Sequence, residues 1–463
     1  MSQIAQNEIE AGEAPVSELS VSEAISLAIR AHQLGHLDDA QLLYRRILDA
    51  APEEPNAMHF LGVLLHQRDR SDEAVELIRR SIALDPGLAD RHNNLGNVLV
   101  EREQFAEAAA AYRQAIALFP GHADAHSNLG ALLGAQGKRE EAAAAYLKAI
   151  EIDPLHAEAR YNMGNLLSGM GRVKEAITCY CKALTLRPDH AESKKMLGIA
   201  YYMTGQIDAA AEVFRLWLAE EPDNPVAKHL YAASSGREVP PRASNAYVES
   251  TFDSFADSFD AKLGKLSYRA PQLVADAVAA ARVVPGSRLV ALDAGCGTGL
   301  CGPLLAPYVS RLIGVDLSSR MLDKARARGA YDELARAELS DYLTNNPAAF
   351  DLIVSADTLC YFGPLEAVLC NAYAALRPEG LFVFTVEEAS ADETAGGYRI
   401  NPHGRYSHCR AYIDRVVLQA GFAVAAIVAA KLRMEGGSAV DGLVVTARRT
   451  STRSLLRGPG IDG

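Results

Sequence analysis

A repeat of 34 residues constrains the first half of the chain more than any other feature. Prolines recur at this spacing, and in the same register an alanine precedes a larger side chain by four residues, as in Ala108 and Tyr112. The prolines are Pro52, Pro86, Pro120, Pro154, Pro188 and Pro222. A fixed period of this length is typical of helix pairs that stack on their neighbours. We therefore predict six helix pairs and a closing helix over residues 21–235.

Five columns of the repeat recur in phase, and together they resemble the tetratricopeptide repeat. The leucine–glycine column, for example at Leu95 and Gly96, predicts where a first helix is crossed closely by its partner. The first repeat has Leu27 and Ala28 at this position, as expected of a terminal cap. The resemblance implies a superhelix whose concave face, lined by the first helices, is a surface for an extended peptide.

An asparagine ladder is predicted on those first helices. It comprises Asn94, Asn97, Asn128, Asn162 and Asn165, which share one face at repeat or one-turn spacing. Each amide offers a donor and an acceptor, so a row of amides can pair with a peptide backbone whatever its side chains. Peptide-binding arrays of O-linked N-acetylglucosamine transferase use such a ladder, and the resemblance implies the same here. Simple adherence to the repeat consensus is the other interpretation.

Other polar columns have simpler explanations. Acidic residues at Asp90, Asp124, Glu158 and Glu192 lie near helix starts, where they suit the helix dipole, although a site for a basic peptide is also open. Five of the twelve histidines fall in repeat columns, so register accounts for them. We predict no metal site.

The repeat stops at residues 236–245, which read as a linker, and a second pattern begins at residue 246. Short apolar runs alternate with helical stretches up to residue 448, which favours an α/β sheet. Seven strands are predicted: Arg288–Asp293, Leu312–Val315, Ala335–Leu339, Phe350–Ser355, Leu381–Val386, Phe422–Ala429 and Gly442–Ala447. The last two are expected to form an antiparallel hairpin.

A glycine turn follows the first predicted strand and indicates a nucleotide cofactor. The segment from Asp293 to Gly299 reads DAGCGTG, and the next strand ends at Asp316, where a carboxylate can accept both hydroxyls of a ribose. The dinucleotide motif GxGxxG would require glycine at Leu300, and there is no phosphate-binding lysine of the P-loop kind. The strand, the glycine turn and the two acids therefore form a more specific signal than the glycines alone.

These residues resemble a class I S-adenosylmethionine-dependent methyltransferase, and repeats followed by such a domain resemble bacterial tetratricopeptide-repeat methyltransferases. The expected fold class is α + α/β: an all-helical tetratricopeptide superhelix followed by a Rossmann-like seven-stranded domain. The resemblance implies S-adenosylmethionine as cofactor. Its implied contacts are Asp293, Gly295, Cys296, Gly297, Gly299, Asp316, Leu317, Met321, Glu338, Leu339, Asp357 and Tyr268. Glu338 stands where family members often carry aspartate against the adenine.

Candidates for chemistry lie at strand ends and in a segment before the sheet. His408 is the candidate general base by residue type, with Tyr406 and Asp357 as alternatives, although His408 can equally cap the helix that begins near Cys409. Asp357 and Tyr361 lie where the family meets sulfonium and substrate. The segment 255–271 resembles the family's lid, with Tyr268 or Arg269 closing over the cofactor, and a solvated helix surface is the competing interpretation.

Composition limits the partners and the compartment. A net charge of −12 disfavours general affinity for nucleic acid. No apolar run is long enough for a membrane span, the acidic residues 1–20 do not resemble a signal, and seven cysteines form no CxxC pair, so we expect a cytoplasmic protein with reduced thiols. Residues 1–20 and the basic residues 449–463 are expected to be disordered tails.

Three functions remain open from the sequence. The first is methyl transfer from S-adenosylmethionine to a protein or peptide recruited by the repeats. The second is methylation of a small molecule, such as a lipid, quinone precursor or sugar, with the repeats as scaffold. The third is a non-catalytic adaptor that senses S-adenosylmethionine.

Overall fold

A computed structural model describes residues 19–281, 283–394, 396–435 and 438–450, so most of both predicted tails lies outside the described residues. The chain divides into two compact units. The first contains the residues up to Leu166 together with Thr185–Pro188, and the second contains Leu167–Leu184 and the residues from Asp189 onward. The last repeats therefore belong to the same unit as the α/β domain, and the predicted boundary near residue 236 is not where the units divide.

Thirteen helices occupy the repeat region of the described chain. They are α1 (Val21–Gln33), α2 (Leu37–Ala50), α3 (Pro55–His66), α4 (Ser71–Leu84), α5 (Ala89–Glu101), α6 (Phe105–Leu118), α7 (Ala123–Ala135), α8 (Arg139–Ile152), α9 (Ala157–Gly169), α10 (Val173–Leu186), α11 (Ala191–Met203), α12 (Ile207–Glu220) and α13 (Pro225–Ser235). In the first unit, each first helix packs on its second helix, and α1, α3, α5 and α7 contact one another in succession. The first helices thus share one face of the array.

Glycine in the first helix makes room for the large residue of the second. A Cβ added at Gly96 would lie 2.4 Å from the ring of Tyr112, and one at Gly130 would lie 2.9 Å from Tyr146. The predicted role of the leucine–glycine column as a point of close crossing is therefore confirmed.

Histidines link successive repeats in the first unit. His122 Nδ1 accepts the backbone N–H of Ala125 at the start of α7, and its Nε2 lies 3.0 Å from the carboxylate of Asp90 in the preceding repeat. His156 repeats this arrangement with Ala159 and Asp124. Part of the acidic column therefore pairs with a histidine column.

The second unit contains a nine-stranded sheet with helices on its faces. The helices are α14 (Asn245–Asp253), α15 (Phe259–Lys265), α16 (Ala270–Ala280), α17 (Gly302–Leu305), α18 (Ser319–Arg328), α19 (Leu339–Thr344), α20 (Glu366–Ala375) and α21 (Arg410–Gln419). The strands are β1 (Leu289–Ala294), β2 (Val309–Asp316), β3 (Glu333–Arg336), β4 (Phe350–Ser355), β5 (Leu376–Glu388), β6 (Tyr398–Ile400), β7 (Tyr406–His408), β8 (Phe422–Glu435) and β9 (Ser438–Arg449).

Strand order explains where a ligand can bind. The order is β3-β2-β1-β4-β5-β7-β6, and β9 pairs with both β5 and β8. Strands β1 to β5 are joined in parallel, whereas the β8–β9 hairpin is antiparallel, as predicted. Strands β2 and β3 are added on one side of β1, and β4 and β5 on the other, so the strand order changes direction between β1 and β4. In parallel sheets, ligands bind outside the carboxyl ends of the strands at such a switch point.

All seven predicted strands are present, and two short ones, β6 and β7, add to them. The third strand ends at Arg336, earlier than predicted, because Glu338 caps the following helix: its carboxylate accepts the backbone N–H of Asp341 at 2.9 Å. Three-residue strands such as β6 and β7 carry too little alternation to be recognised from sequence.

The predicted linker is packed within the second unit. Ala243 is buried and donates its N–H to the carbonyl of Tyr361 at 2.8 Å, and Gly363 donates to the carbonyl of Pro241 at 2.8 Å. Trp217, Leu230 and Tyr247 form one apolar cluster with Ala243. The end of the repeat array and the start of the α/β domain therefore share a core.

Candidate functional site

A cavity of about 290 Å³ lies at the carboxyl ends of β1, β2 and β4. It is lined by the glycine turn after β1, the ends of β2 and β4, the lid segment and strand β8. Arg242 and Ala243 of the predicted linker also line it. All of these residues belong to the second unit. The cavity is where the sequence placed a cofactor.

The glycine turn has left-handed backbone at Gly295, Gly297 and Gly299, which favours glycine. A Cβ at Gly295 would lie 2.1 Å from Thr358 Oγ1, whereas one at Gly297 would meet nothing within 4 Å. Gly295, Cys296 and Gly297 line the cavity, so the backbone at Gly297 borders open space that a ligand can approach. This cradle fits a nucleoside cofactor.

Gly299 does not line the cavity, although the sequence predicted a cofactor contact there. A Cβ at Gly299 would lie 2.9 Å from Tyr331 and 3.2 Å from Ala325. Close packing against these residues, rather than a ligand, accounts for the glycine.

Asp316 lies at the end of β2 and holds the turn in place. Its Oδ2 accepts the N–H of Gly297 at 2.9 Å, and its Oδ1 accepts the N–H of Ser318 at 2.9 Å. Burial raises the pKa of this carboxyl, and the backbone hydrogen bonds oppose the rise. Each carboxylate oxygen can accept more than one hydrogen bond, so Asp316 can still accept from the hydroxyls of a ribose.

Asp293 lies beneath the turn and does not line the cavity. It is fully buried, and its Oδ2 accepts the hydroxyl of Tyr331 at 2.6 Å. Burial raises the pKa of Asp293 to about 7. The structure thus separates Asp293 from the predicted cofactor contacts, and Tyr331, which sequence reasoning missed, packs where the acid was expected to face a ligand.

Four predicted contacts form one wall of the cavity: Leu317, Met321, Glu338 and Leu339. The carboxylate of Glu338 caps α19 and lies 3.6 Å from the guanidinium of Arg242, which comes from the former linker. The structure therefore brings these four residues together, as the resemblance implied.

The lid segment and helix α14 before it cover the cavity with aromatic rings. Phe252 of α14 and Phe255 and Phe259 of the lid segment line the cavity with Tyr361, and the Phe252 ring lies 5.6 Å from that of Tyr361. Tyr268 also lines the cavity, and burial raises its pKa well above the ordinary value, whereas Arg269 is absent from the lining.

Carboxylates fasten this segment and α14 to the glycine turn and to the start of α18. Asp260 of the lid segment accepts the hydroxyl of Thr298 at 2.6 Å, and Asp253 of α14 accepts that of Ser318 at 2.5 Å. Asp257 pairs with Arg320 at 2.5 Å. Each contact joins the segment or α14 to residues beside the cavity, so the observed geometry favours a lid over a solvated surface.

A buried cluster of charges forms the far end of the cavity. This ion cluster comprises Asp357, Glu387, Arg405, Arg433 and Glu435, of which all but Glu387 line the cavity. Arg433 bonds to Asp357 at 2.7 Å, to Glu435 at 3.2 Å and to Glu387, while Arg405 bonds to Glu387 at 2.6 Å and to Glu435 at 2.5 Å. Burial raises the pKa of Glu387, but the two guanidiniums outweigh it and lower the pKa to about 2.

Sequence reasoning found only Asp357 in this cluster. Glu387 lies near the end of β5 and Arg405 directly before β7, in a stretch to which the sequence assigned no role apart from Tyr406 and His408. The other members lie on β8, and the sheet brings them together across β9 and β5. No local spacing encodes such a cluster.

His408 and Tyr406 do not reach the cavity. Both are fully buried, His408 Nε2 donates to the carbonyl of Gly363 at 2.8 Å, and Tyr406 donates its hydroxyl to the carbonyl of Pro240 at 2.5 Å. Burial lowers the pKa of His408 to about 4. The structure therefore places both side chains away from the cavity lining, and a role as general base stays a prediction for each. It also leaves α21 without a side-chain cap, so His408 does not cap that helix.

The asparagine ladder forms in part as a hydrogen-bonded row. Asn128 Nδ2 donates to Oδ1 of Asn93 at 3.0 Å and of Asn97 at 3.1 Å, and Asn94 Nδ2 lies 3.0 Å from His59 Nε2. Asn162 and Asn165 are half-buried on α9. The amides are thus pre-ordered on the face of the first helices.

Two families match the chain. Residues 292–384 match the methyltransferase domain, and residues 25–89, 93–160 and 161–225 match the tetratricopeptide repeat. No helix among the described residues is both long and apolar enough to cross a membrane.

Individual proteins are similar over parts of the chain. Human methyltransferase-like protein 27 is 34% identical over 146 residues, which cover 30% of this chain and 58% of that protein. Malonyl-[acyl-carrier protein] O-methyltransferase of Serratia marcescens is 31% identical over 112 residues, 24% of this chain and 43% of that protein. The chain thus spans about half the length of these relatives. The solved structure of Pseudomonas aeruginosa pilF is 21% identical, with a TM-score of 0.41, over 46% of this chain and 96% of that chain.

Proposed function

Because the chain is a tetratricopeptide-repeat protein with a methyltransferase domain, we propose that it transfers a methyl group from S-adenosylmethionine to an acceptor that the repeats recruit. The single observation that carries this proposal is the cavity where the open backbone of Gly297 meets Asp316. The sulfonium supplies an activated methyl group. The chain's own residues bind the cofactor, orient the acceptor and exclude water.

Each wall of the cavity has one task in this proposal. Asp316 accepts from the ribose, and the wall that contains Leu317, Met321 and Leu339 packs on the adenine. The lid rings exclude water, and the ion cluster meets the acceptor. Alignment of nucleophile and methyl group alone can lower the barrier by about 7–11 kcal/mol, so no covalent catalysis is required.

The repeat array is proposed to bring the acceptor on a protein or peptide. The pre-ordered amides of Asn94, Asn97 and Asn128 support this role, since they can pair with an extended backbone. The Serratia relative is named for an acceptor on a carrier protein. Since the seven cysteines are all free thiols, we place the reaction in the cytoplasm.

A small-molecule acceptor is the second candidate. The ion cluster and the lid rings enclose the acceptor end of the cavity, which suits a compact substrate. In this case the repeats serve as a scaffold.

Labelled methyl transfer tests the proposal. Purified full-length protein and S-adenosylmethionine with a tritiated methyl group are added to fractionated lysate, with Asn94→Ala/Asn128→Ala and Asp316→Asn variants in parallel. We expect label in protein, reduced by both variants. Label in small molecules that the asparagine variant leaves unchanged would favour the second candidate. If the protein binds S-adenosylmethionine but no labelled methyl group reaches any fraction, the result would favour a non-catalytic adaptor that senses S-adenosylmethionine.

A further inference from the structure

The ion cluster carries one more negative charge than positive. Its three carboxylates, Asp357, Glu387 and Glu435, face two guanidiniums, and all three nitrogens of Arg433 are engaged by those carboxylates. Arg405 is engaged by Glu387 and Glu435. A carboxylate or phosphate acceptor would therefore meet guanidiniums that are already paired and an excess of negative charge, which disfavours it.

One carboxylate oxygen of the cluster has no partner among the described residues. Asp357 Oδ2 bonds to Arg433, but Asp357 Oδ1 is buried without a hydrogen bond. A buried acceptor without a donor is unfavourable, so a donor supplied by a ligand would remove this cost.

Contacts with neighbouring residues hold the backbone of Asp357 in an unfavourable conformation. Its φ of 58° is in the left-handed region, which is unfavourable for a residue with a Cβ. The N–H of Asp357 donates to Thr385 Oγ1 at 2.8 Å, and Arg433 fixes the carboxylate. The next residue, Thr358, contacts Gly295 of the glycine turn. Asp357 is thus fixed between the turn and the ion cluster.

Aromatic rings complete the surroundings. Phe252, Phe255, Phe259 and Tyr361 line the same cavity. Ring faces attract cations and stabilise them most where water is excluded. Rings and excess negative charge together favour a ligand that carries a positive charge and N–H donors.

We propose that the acceptor presents an amino group, which Asp357 recognises through its unpaired Oδ1 while Arg433 positions the carboxylate. The ammonium form would bind first, and Asp357 Oδ1 would take the proton whose loss frees the nitrogen lone pair. The N–CH3 bond would then form as the S–CH3 bond breaks, with S-adenosylhomocysteine as the leaving group. This inference rests on the proposed function and names its acceptor class: a primary or secondary amine, such as a lysine side chain or an N-terminus, in preference to a carboxylate. Asp357 acts as a specificity-determining residue, and Arg433 acts through it as a positioning residue.

Three cofactor analogues test the proposal on the full-length protein by calorimetry. The three ligands differ at the position of the sulfur. S-adenosylhomocysteine has a neutral sulfur there, S-adenosylmethionine has a charged sulfonium that offers no N–H, and sinefungin has a carbon atom that carries an amino group. We expect the wild type to bind sinefungin at least ~10-fold more tightly than S-adenosylhomocysteine, as a hydrogen bond to a charged group allows. Asp357→Asn should abolish that preference, and it should weaken S-adenosylmethionine, which loses only an electrostatic attraction, less than sinefungin, which also loses a hydrogen bond.

The controls separate this proposal from the proposed function. Asp441→Asn makes the same change at an exposed position of the same hairpin and should retain all three affinities. If the wild type binds sinefungin and S-adenosylhomocysteine equally, the amine proposal is overturned, whether or not the variant folds. It is also overturned if Asp357→Asn weakens all three ligands alike, or weakens sinefungin and S-adenosylmethionine alike. If the wild type binds none of them, the proposed function itself fails.

Discussion

His229 Nε2, on the last helix of the repeat array, donates a hydrogen bond to the carbonyl of Gly404 at 2.8 Å. His229 is buried and stacks on Tyr247, with ring centroids 3.9 Å apart. The residue after Gly404 is Arg405, which lines the cavity. The closing helix α13 therefore braces the loop that carries one guanidinium of the ion cluster.

Replacement of His229 by phenylalanine should loosen this loop without emptying the cofactor cradle. The carbonyl of Gly404 would lose its donor in a buried place, so we expect unfolding to become about 1–3 kcal/mol easier. The affinity for S-adenosylhomocysteine should stay within about twofold, because His229 does not line the cavity and shares no hydrogen-bond partner with Asp316. Urea denaturation and calorimetry measure the two effects. Unchanged stability would show that the brace does not hold the loop.

Stability should depend on the protonation of His408. Burial lowers its folded pKa from 6.5 to about 4, so the folded state binds fewer protons than the unfolded state between these values. The stabilisation is present above pH 6.5 and is lost as the pH falls toward 4. His408→Gln keeps a donor for Gly363 but does not titrate. Urea denaturation at pH 7.5 and pH 5 should show a smaller loss for the variant, and equal losses would contradict the assignment.

Gly96→Ala should destabilise the repeat array. The added methyl group would lie 2.4 Å from Tyr112, and such overpacking costs about 1–3 kcal/mol. Gly134→Ala, on the corresponding helix of the next repeat, is the matched control. Its methyl group would lie 3.8 Å from Ala142, an ordinary contact, and alanine favours the helix by up to about 1 kcal/mol. The midpoint temperature of thermal unfolding should therefore fall for Gly96→Ala and rise for Gly134→Ala. A shift in the same direction for both variants would refute the crossing geometry.

Removal of Arg433 should cost far more than removal of a surface arginine. Arg433→Met leaves the buried carboxylates of Asp357 and Glu387 beside partly exposed Glu435 without this guanidinium, and breaking such a network costs about 3–5 kcal/mol. Arg311→Met removes only an exposed pair with Glu333 and should cost at most about 1 kcal/mol. Denaturant titration of both variants at neutral pH measures the contrast. Similar losses for the two would mean that the ion cluster adds nothing beyond a surface pair.

Local spacing was enough to predict the repeats, the glycine turn and Asp316. Each depends on residues that lie close in sequence or recur at a fixed period. By contrast, the ion cluster joins Asp357 to Arg433 across 76 residues of chain, and only the register of β5, β9 and β8 brings them together. Residue type alone could not place His408 at the cavity or away from it, because a histidine in a short strand can equally be a core residue, and here its Nε2 donates to the carbonyl of Gly363.

The shared core of the last repeats and the α/β domain was also beyond the sequence. The 34-residue period ends where the linker composition begins, so a separation near residue 236 was the natural prediction. The structure buries Ala243 with Trp217 and Tyr247 instead. An experiment that removes residues 1–235 would cut through this core, and for this reason substitutions in the intact chain are preferable.

The most direct measurement of the central claim is a calorimetric titration of the intact protein with S-adenosylmethionine, repeated with Asp316→Asn. The account predicts saturable one-site binding by the wild type and at least ~10-fold weaker binding by the variant, since hydrogen bonds to a charged acceptor are lost. No heat of binding in the folded wild type, or equal affinity in both proteins, would contradict it.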